Sequence, residues 1–480
     1  MGICAASLCA VAAPARSNFQ LEECRLESPF VSGAVSARCG WYVTAENRDA
    51  TVSKTIRIHV AVVPALRRQA LPDPLLIISG GPGQAASDFY LSSSRAFEFL
   101  RRDRDLVVID QRGTGKSNRL DCTFPDELES ARFDTSAIKS YTRDCLAKLP
   151  GDPRFYTTSV AVRDLDAIRE LLGYEKLNLY GISYGTRVAQ HYLRRYPDRV
   201  RSIVLDGIVP PDVALGPEVA PAAQIALDAI LERCLAQTEC RQSFPNIRSE
   251  LEQLRSDLTR RSIPITLPDP RTAAVRTLDF AYLHLAVALR LHSYSDSTAS
   301  LLPFLIHEAS EGRPQVLAAQ ALLVTRDINE QLANGMHNAV VCTEDVPFIT
   351  VAALQDPAID RSYLRRYFVE TLQAMCSVWP SGVIDADFHA PLQSATPGLL
   401  LSGANDPVTP LHYGERAARG FVKAKHLVVP GQGHGQLQNA CIARVMTRFV
   451  ETGSSDSLDT SCVAKQGAAP FMLTAITPGP

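Results

Sequence analysis

The chain has 480 residues, of which 46% are apolar and 21% are charged, and its formal net charge is −2. This length suffices for one large domain with an insertion or for two domains, and the composition is that of a globular protein. The near-neutral charge excludes the basic field that binds nucleic acid. Since no run of 18 apolar residues follows the N-terminal segment, we expect no transmembrane helix.

The first fifteen residues, MGICAASLCAVAAPA, are small and apolar and end in Ala13-Pro14-Ala15. They resemble the apolar region and the A-x-A cleavage site of a secretory signal, although no Lys or Arg precedes them. We therefore predict a signal segment at residues 1–15 and a secreted or periplasmic protein. Without such a signal the protein would be cytoplasmic.

Twelve cysteines support export. Cys4 and Cys9 lie in the signal segment, and the even number that remains after cleavage favours disulfides in an oxidising compartment over ten buried thiols. The ten fall into neighbours along the chain, Cys24/Cys39, Cys122/Cys145, Cys234/Cys240, Cys342/Cys376 and Cys441/Cys462, but the sequence alone does not fix the connectivity. Because no C-x-x-C pair and no Cys/His cluster with ligand spacing occurs, we expect no metal site.

Seven short runs rich in β-branched residues, each bounded by turn residues, predict strands. They are Thr55–Val63, Leu75–Ser79, Asp105–Asp110, Lys176–Tyr180, Val200–Asp206, Gly398–Ser402 and His426–Val429. The first of these runs alternates between apolar and polar residues. The other six are almost continuously apolar, as is typical of strands in a parallel sheet that is buried on both faces. With helical patterns at Val160–Leu172 and Thr186–Arg195 between them, they predict an α/β fold with a mostly parallel central sheet.

The segment from 211 to 390 differs, since it shows no convincing strand and several amphipathic helical stretches. These are Glu218–Leu235, Ile247–Arg261, Leu278–His292, Pro314–Leu332 and Arg361–Val378. We predict a helical lid insertion at 211–390 that divides the α/β core into residues 40–210 and 391–480. Such a lid would shape and dry a pocket above the strand ends.

The strand Lys176–Tyr180 leads into Gly181-Ile182-Ser183-Tyr184-Gly185 and then into a helical pattern. This is the G-x-S-x-G nucleophile elbow in its strand–turn–helix context. Side chains at 181 and 185 would clash in so tight a turn, which explains the two glycines. We predict Ser183 as a nucleophile, with the amide of Tyr184 directed at the oxyanion.

A second oxyanion donor should come from the loop after an earlier strand. Leu75–Ser79 is followed by Gly80-Gly81-Pro82-Gly83, which lets the backbone approach a bound carbonyl as the H-G-G-G type motif does. We assign the amide of Gly81, with that of Gly80 as a near alternative. The other interpretation is a plain tight turn.

The acid and the base should follow the serine along the chain. We predict Asp406 as the acid, because it comes just past a strand end, where a carboxylate can orient an imidazole. Asp206, just after the preceding core strand, is its rival. His412 comes too soon after Asp406, and His426 opens a strand. His434 lies in a glycine-rich loop just after the last strand, and we predict it as the general base.

The segment Gly113-Thr114-Gly115-Lys116-Ser117 imitates the end of a phosphate-binding loop. The full pattern needs a glycine five residues before Gly115, where Asp110 stands, and no clear helix follows. We therefore expect no nucleotide and no other cofactor. Residues 110–113 are expected to form a buried polar turn near the active site.

These motifs together resemble the prolyl iminopeptidases, and most closely their larger secreted relatives, the tripeptidyl aminopeptidase-like hydrolases. The resemblance covers residues 40 to 462 and rests on Gly80–Gly83, Asp110–Gly115, Gly181–Gly185, Cys342-Thr343-Glu344-Asp345, Asp406–Pro410 and Cys441/Cys462. It implies the α/β-hydrolase fold and an exopeptidase that acts near the N-terminus of a small peptide. One departure is Ser79, where prolyl iminopeptidases usually have histidine, so a proline preference is not implied.

In this family lid carboxylates hold the free amine of the peptide. The resemblance therefore implies Glu344, with Asp345 second, as the substrate-binding groups; a solvated acidic pair or a helix-capping turn is the alternative. Triad chemistry does not distinguish amides from esters, so an esterase or small-acyl hydrolase is the second hypothesis. A non-catalytic binding protein on a hydrolase fold is the third. The sequence carries no signal for the oligomeric state.

Overall fold

The structure is a computed structural model that describes residues 19–122 and 134–475. The predicted signal segment at 1–15 lies outside the described residues. The strands are β1 Glu22–Glu27, β2 Ala34–Ala45, β3 Thr55–Val63, β4 Leu71–Ile78, β5 Arg104–Ile109, β6 Leu177–Ile182, β7 Val200–Asp206, β8 Ile263–Pro268, β9 Val275–Phe280, β10 Gly398–Gly403 and β11 Ala424–Val429.

The central sheet of the described residues has nine strands in the order β1-β2-β3-β5-β4-β6-β7-β10-β11. From β5 to β11 neighbouring strands run parallel, whereas β1, β2 and β3 join the edge antiparallel. Strands β5 and β10 are buried along their whole length, which explains their continuous apolar runs. The predicted α/β fold is confirmed, and the seven predicted strands correspond to β3–β7, β10 and β11.

The helices cover both faces of the sheet and form the insertion. They are α1 Ala86–Ser93, α2 Glu98–Arg101, α3 Thr135–Lys148, α4 Thr158–Leu171, α5 Tyr184–Arg195, α6 Val219–Ala236, α7 Thr238–Ser243, α8 Ile247–Arg260, α9 Tyr282–His292, α10 Asp296–Ala299, α11 Leu302–Ser310, α12 Gln315–Gln331, α13 Asn334–Glu344, α14 Val351–Leu354, α15 Pro357–Arg361, α16 Tyr367–Cys376, α17 Leu411–Ala418 and α18 Ala440–Thr452. Over the described ranges, none of them combines the length and apolarity that crossing a membrane requires.

The expectation of a strand-free lid was wrong. Strands β8 and β9 pair as an antiparallel hairpin, and helix α9 begins at Tyr282 instead of Leu278 because residues 275–280 belong to the hairpin. In β8 only Ile265 and Leu267 are buried, so its alternating pattern is too short to be recognised. Strands β1 and β2 were also missed, since most of their residues are exposed or only partly buried.

The lid has its own hydrophobic core. Leu227 of α6, Leu289 of α9 and Leu302 of α11 are fully buried in it. The C-terminal segment also reaches this core, because Phe471 inserts its ring among the lid residues and stacks with the guanidinium of Arg233 at 3.7 Å. The lid is therefore held to the α/β core by chain segments on both sides of the insertion.

The structure settles the connectivity that the sequence left open, since each pair of neighbouring cysteines forms a disulfide. The disulfides are Cys24–Cys39, Cys122–Cys145, Cys234–Cys240, Cys342–Cys376 and Cys441–Cys462. Disulfides at this density are typical of proteins that fold in an oxidising compartment.

Candidate active site

Ser183 occupies a sharp turn between β6 and α5. Its backbone angles are φ 55° and ψ −127°, a conformation that costs a non-glycine residue of the order of 1–3 kcal/mol. A Cβ atom at Gly181 would lie 2.4 Å from the carbonyl oxygen of Gly185, and one at Gly185 would lie 2.4 Å from that of Ile78. Both glycines are therefore required by sterics, as the sequence predicted, and the strained turn presents the serine at the end of the strand.

The glycine-rich loop after β4 passes directly beside this serine. A Cβ atom at Gly80 would lie 3.0 Å from the Cβ and 3.6 Å from the Oγ of Ser183. The next residue, Gly81, has a φ of 105°, and Gly83 accepts a hydrogen bond from the amide of Ala333 in the lid at 2.9 Å. The loop thus approaches the nucleophile closely enough to supply an oxyanion donor, and the roles of the Gly81 and Tyr184 amides stay predictions.

His434 and Asp406 are in contact, as expected of a base and its orienting acid. The Nδ1 atom of His434 lies 2.8 Å from the Oδ2 atom of Asp406. The amides of Val408 and Thr409 each donate to Oδ1 of Asp406 at 2.8 Å, and the Thr409 hydroxyl donates to Oδ2 at 2.7 Å. Burial lowers the pKa of His434, but the charge and hydrogen bond of Asp406 raise it, so the net pKa shift is upward.

Asp206, the rival acid, contacts the backbone of the histidine loop just after His434. Its carboxylate accepts hydrogen bonds from the amides of Gln436 and Leu437 and from the Tyr180 hydroxyl. It is fully buried, and burial raises the pKa of Asp206 to about 6 in spite of these hydrogen bonds. The structure thus brings Asp406, and not Asp206, to the imidazole Nδ1.

Glu344 ends helix α13 and is fully buried. One carboxylate oxygen accepts the amide of Thr158 at 2.7 Å, and the other accepts the hydroxyl of the same residue at 2.9 Å. Glu344 therefore caps the N-terminus of α4 from the lid, which is the capping interpretation that the sequence left open. Burial raises the pKa of Glu344 to about 7, and its role toward a substrate amine stays a prediction.

Asp345 is the second predicted substrate-binding carboxylate. It is 1% exposed, and its Oδ1 atom accepts the guanidinium of Arg187 at 2.9 Å and the amide of Leu215 at 2.8 Å. Its Oδ2 atom is buried and has no hydrogen-bond partner among the described residues. Since Arg187 lies one helical turn beyond Ser183 on α5, the acidic pair is connected to the nucleophile helix.

The segment that imitates a phosphate loop is a buried polar turn. Asp110 and Arg112 are fully buried, and Arg112 forms an ion pair with Asp164 at 2.6 Å. Gln111 donates to the hydroxyl of Tyr184 at 3.0 Å, so the turn supports the residue after the nucleophile. No helix opens between Ser117 and the end of the first described range, at residue 122. Within the two described ranges, no three His, Cys, Asp or Glu side chains are gathered as metal ligands.

Sequence reasoning missed the lid residues that face the histidine. The carbonyl of Tyr294 accepts the amide of His434 at 2.6 Å, and the two rings meet edge-on with centroids 5.6 Å apart. The guanidinium of Arg290, on the preceding helix α9, lies 3.4 Å from the Tyr294 hydroxyl. These residues belong to no motif, and a single sequence carries no signal for contacts between the lid and the core.

Comparisons with known proteins agree with this geometry. The α/β-hydrolase fold family matches residues 73–231, and the TAP-like protein family matches residues 361–462. Serine protease Hip1 of Mycobacterium tuberculosis is 24% identical over 92% of this chain and 90% of its own length.

Two shorter matches concern aminopeptidases. The tripeptidyl aminopeptidase of Streptomyces coelicolor is 29% identical over 42% of this chain and 40% of its own length. The proline iminopeptidase of Neisseria gonorrhoeae is 29% identical over 28% of this chain and 32% of its own length. The resemblance predicted from the motifs is confirmed: the protein is a serine hydrolase with the α/β-hydrolase fold, and it is similar to serine protease Hip1, tripeptidyl aminopeptidase and proline iminopeptidase.

Proposed function

We propose that the protein is a serine peptidase that cleaves peptide bonds near the free N-terminus of peptides through an acyl-enzyme intermediate. The observation that carries the proposal is the 2.8 Å contact between His434 and Asp406 on the loops that follow the last strands of the sheet that presents Ser183. The similarity to serine protease Hip1 along most of both chains supports a peptidase. The names of the two shorter relatives support action at the N-terminus.

The proposed chemistry uses three side chains. His434 takes the proton of the Ser183 hydroxyl while the Oγ atom attacks the peptide carbonyl, and Asp406 stabilises the imidazolium that forms. The amides of Gly81 and Tyr184 stabilise the oxyanion. As the C–N bond breaks, His434 returns the proton to the leaving amine. The acyl-enzyme is then hydrolysed by a water that His434 deprotonates, which releases the acid and restores the serine.

Binding of a free amine is supported by the charges in the lid. Arg187 forms an ion pair with Asp345, and its charge also acts on Glu344. The buried cluster of these three side chains therefore carries a net charge of −1 when both carboxylates are ionised. A buried excess charge is costly unless an opposite charge compensates for it. An incoming ammonium group would supply that charge, and the unpaired Oδ2 atom of Asp345 would offer it a hydrogen-bond acceptor.

Export forms part of the proposal. Residues 1–15 have the composition of a secretory signal, and the described cysteines are paired in disulfides. We propose that the mature protein acts outside the cytoplasm.

The test is a panel of chromogenic substrates assayed with the wild type and with Ser183→Ala. It compares aminoacyl- and tripeptidyl-arylamides, each with a free and an acetylated N-terminus, and a series of nitrophenyl esters. We expect the free-amine peptides to be cleaved with the highest kcat/KM, and their acetylated forms to be poor substrates. If acetylation makes no difference, or if only esters are cleaved, the esterase hypothesis replaces the peptidase.

A further inference from the structure

Arg290 is a cation in the lid that has no counter-ion among the residues that the structure describes. Its guanidinium lies 4.5 Å from the centre of the Phe368 ring and 3.4 Å from the Tyr294 hydroxyl. Its Nε atom is buried and has no hydrogen-bond partner, and within residues 19–122 and 134–475 no carboxylate forms an ion pair with it. The side chain is thus held in place by aromatic rings while part of its donor capacity stays unused.

This cation lies next to the proposed catalytic histidine. Tyr294 connects the two, because its hydroxyl contacts Arg290 while its carbonyl and ring contact His434. The charge of Arg290 also reaches His434 directly, since it opposes the upward pKa shift caused by Asp406. In triad chemistry this histidine protonates the leaving group, so the guanidinium lies on the side where the leaving part of the substrate is released.

A second unused donor lies within the electrostatic reach of Arg290. Tyr363 is 1% exposed, and its hydroxyl has no hydrogen-bond partner among the described residues. Its backbone is fixed, because the Tyr282 hydroxyl donates to its carbonyl at 2.8 Å. Burial raises the pKa of Tyr363, against a weaker lowering by Arg290, so the group is a neutral hydroxyl donor at physiological pH. Buried donors are almost always satisfied in native proteins, so an unsatisfied one indicates a missing acceptor.

We propose that Arg290 and Tyr363 form a subsite for a carboxylate on the leaving part of the substrate, so that the preferred substrates are short peptides with a free C-terminus. This inference rests on the proposed function and specifies its substrate class. Of the substrate groups that a peptide offers, a carboxylate is the one that accepts hydrogen bonds from a guanidinium and a hydroxyl and also brings the opposite charge. It also supplies the counter-ion that the guanidinium lacks among the described residues.

The charges around the site fit such a zwitterionic substrate. Both charged groups of the lid act on His337, since burial lowers its pKa, the charge of Asp345 raises it and that of Arg290 lowers it. The net negative cluster of Glu344, Asp345 and Arg187 would take the ammonium end of the peptide, and Arg290 would take its carboxylate. A long polypeptide carries no carboxylate at that distance unless an acidic side chain falls there, so peptide length becomes part of the specificity.

The test compares tetra-alanine with its C-terminal amide, with products followed by mass spectrometry. We expect the wild type to show a kcat/KM at least about tenfold higher for the acid than for the amide. Arg290→Gln should lower kcat/KM for the acid at least about tenfold and leave the amide almost unchanged. Arg290→Lys should retain part of the preference, and Tyr363→Phe should weaken it less than Arg290→Gln. Arg261→Gln, at an exposed arginine of the lid, is the matched control and should behave as the wild type.

A second measurement separates this inference from the proposed function. Nitrophenyl acetate hydrolysis, which needs only the triad, is inhibited with alanyl-alanine or with its amide. We expect the acid to inhibit more strongly, and this difference should vanish in Arg290→Gln even if no peptide is cleaved. Equal inhibition by both compounds in the wild type overturns the subsite. An Arg290→Gln variant that still prefers the acid also overturns it. So does one in which kcat/KM falls equally for the acid and for the amide.

Discussion

The carboxylate of Asp206 accepts the backbone amide of Gln436 with both of its oxygens, at 2.8 and 2.9 Å. Gln436 lies two residues after His434, and the backbone carbonyl of Asp206 accepts the amide of Ser183 at 2.8 Å. One buried residue thus joins the loop of the nucleophile to the loop of the base. Asp206 makes no hydrogen bond to the Nδ1 atom of His434, because that atom contacts Asp406.

The two carboxylates should respond differently to the same substitution. Asp406→Asn should lower kcat by about 10⁴-fold, because the amide group no longer stabilises the imidazolium and favours the wrong tautomer. Asp206→Asn should cost much less, since an amide oxygen still accepts the loop amides. The measurement is kcat for one free-amine arylamide, with melting temperatures to exclude unfolding. A larger loss in Asp206→Asn would make that residue the acid.

Asp206 should also influence the pH dependence of the reaction. Its negative charge helps to raise the pKa of His434, and the base works only as neutral imidazole. Asp206→Asn should therefore move the acid limb of the kcat/KM profile to lower pH. Asp456→Asn, at an exposed carboxylate, is the control and should leave the profile in place. An acid limb that moves to higher pH in Asp206→Asn would contradict the electrostatic argument.

The nucleophile can be tested together with the strain of its turn. Ser183→Ala and Ser183→Gly should both lose several orders of magnitude in turnover, because the triad acts as a unit. A fluorophosphonate should label the wild type at Ser183 and neither variant. Glycine adopts a positive φ without steric cost, so Ser183→Gly should unfold at a temperature no lower than Ser183→Ala. Labelling at another serine would exclude the assignment.

The disulfides make a prediction about stability. Cys441 is the second residue of helix α18, which follows the histidine loop, and its amide donates to the side chain of Asn439 at 2.9 Å. Replacing both Cys441 and Cys462 with serine should cost about 2–5 kcal/mol of unfolding free energy. The pair Cys234 and Cys240 closes 6 residues instead of 21, so its removal should cost about 1 kcal/mol less in the chain-entropy model.

Denaturant titration measures both costs, and a thiol assay on the denatured wild type should find none of the ten described cysteines free. Several free thiols in fresh protein would contradict the pairing and weaken the proposal of export.

The parts of this site that the sequence predicted are those whose chemistry is local. Ser183 lies between two glycines that only a tight turn explains, and His434 lies in a glycine-rich loop that follows a buried strand. The order of these segments along the chain sufficed to place them at one edge of a parallel sheet.

The remaining parts depend on contacts between distant segments. Asp206 supports a loop 230 residues away, and Thr158 is capped by Glu344, 186 residues later. Tyr294 and Arg290 reach the histidine only because the lid folds back over the sheet. In a single sequence such residues look like ordinary core or surface positions. Neither the periodicity of hydrophobic residues nor a short motif identifies a contact partner that lies so far along the chain.

Glu344 gives the final prediction, which begins with stability. The pKa of the buried carboxyl is about 7, against an ordinary 4.5, so the folded protein binds a proton more tightly than the unfolded chain. Stability therefore falls as pH rises from about 4.5 to above 7, by about 3 kcal/mol from this group at most. In Glu344→Gln the amide oxygen can still accept the Thr158 amide, and the NH2 group can donate to the Thr158 hydroxyl, but the side chain carries no charge. The stability of this variant should therefore not fall over that pH range, which thermal unfolding at several pH values measures.

The same variant tests amine recognition. Above pH 7 the ionised Glu344 gives the lid cluster its net negative charge, which an ammonium substrate would compensate. Glu344→Gln should therefore lower kcat/KM for free-amine peptides, by an amount that corresponds to a loss of about 2–5 kcal/mol of transition-state stabilisation. Hydrolysis of a neutral nitrophenyl ester should hardly change, because that substrate brings no ammonium group. If both activities fall together, Glu344 only caps helix α4. If neither falls, the amine is held elsewhere, and Asp345→Asn becomes the variant to compare.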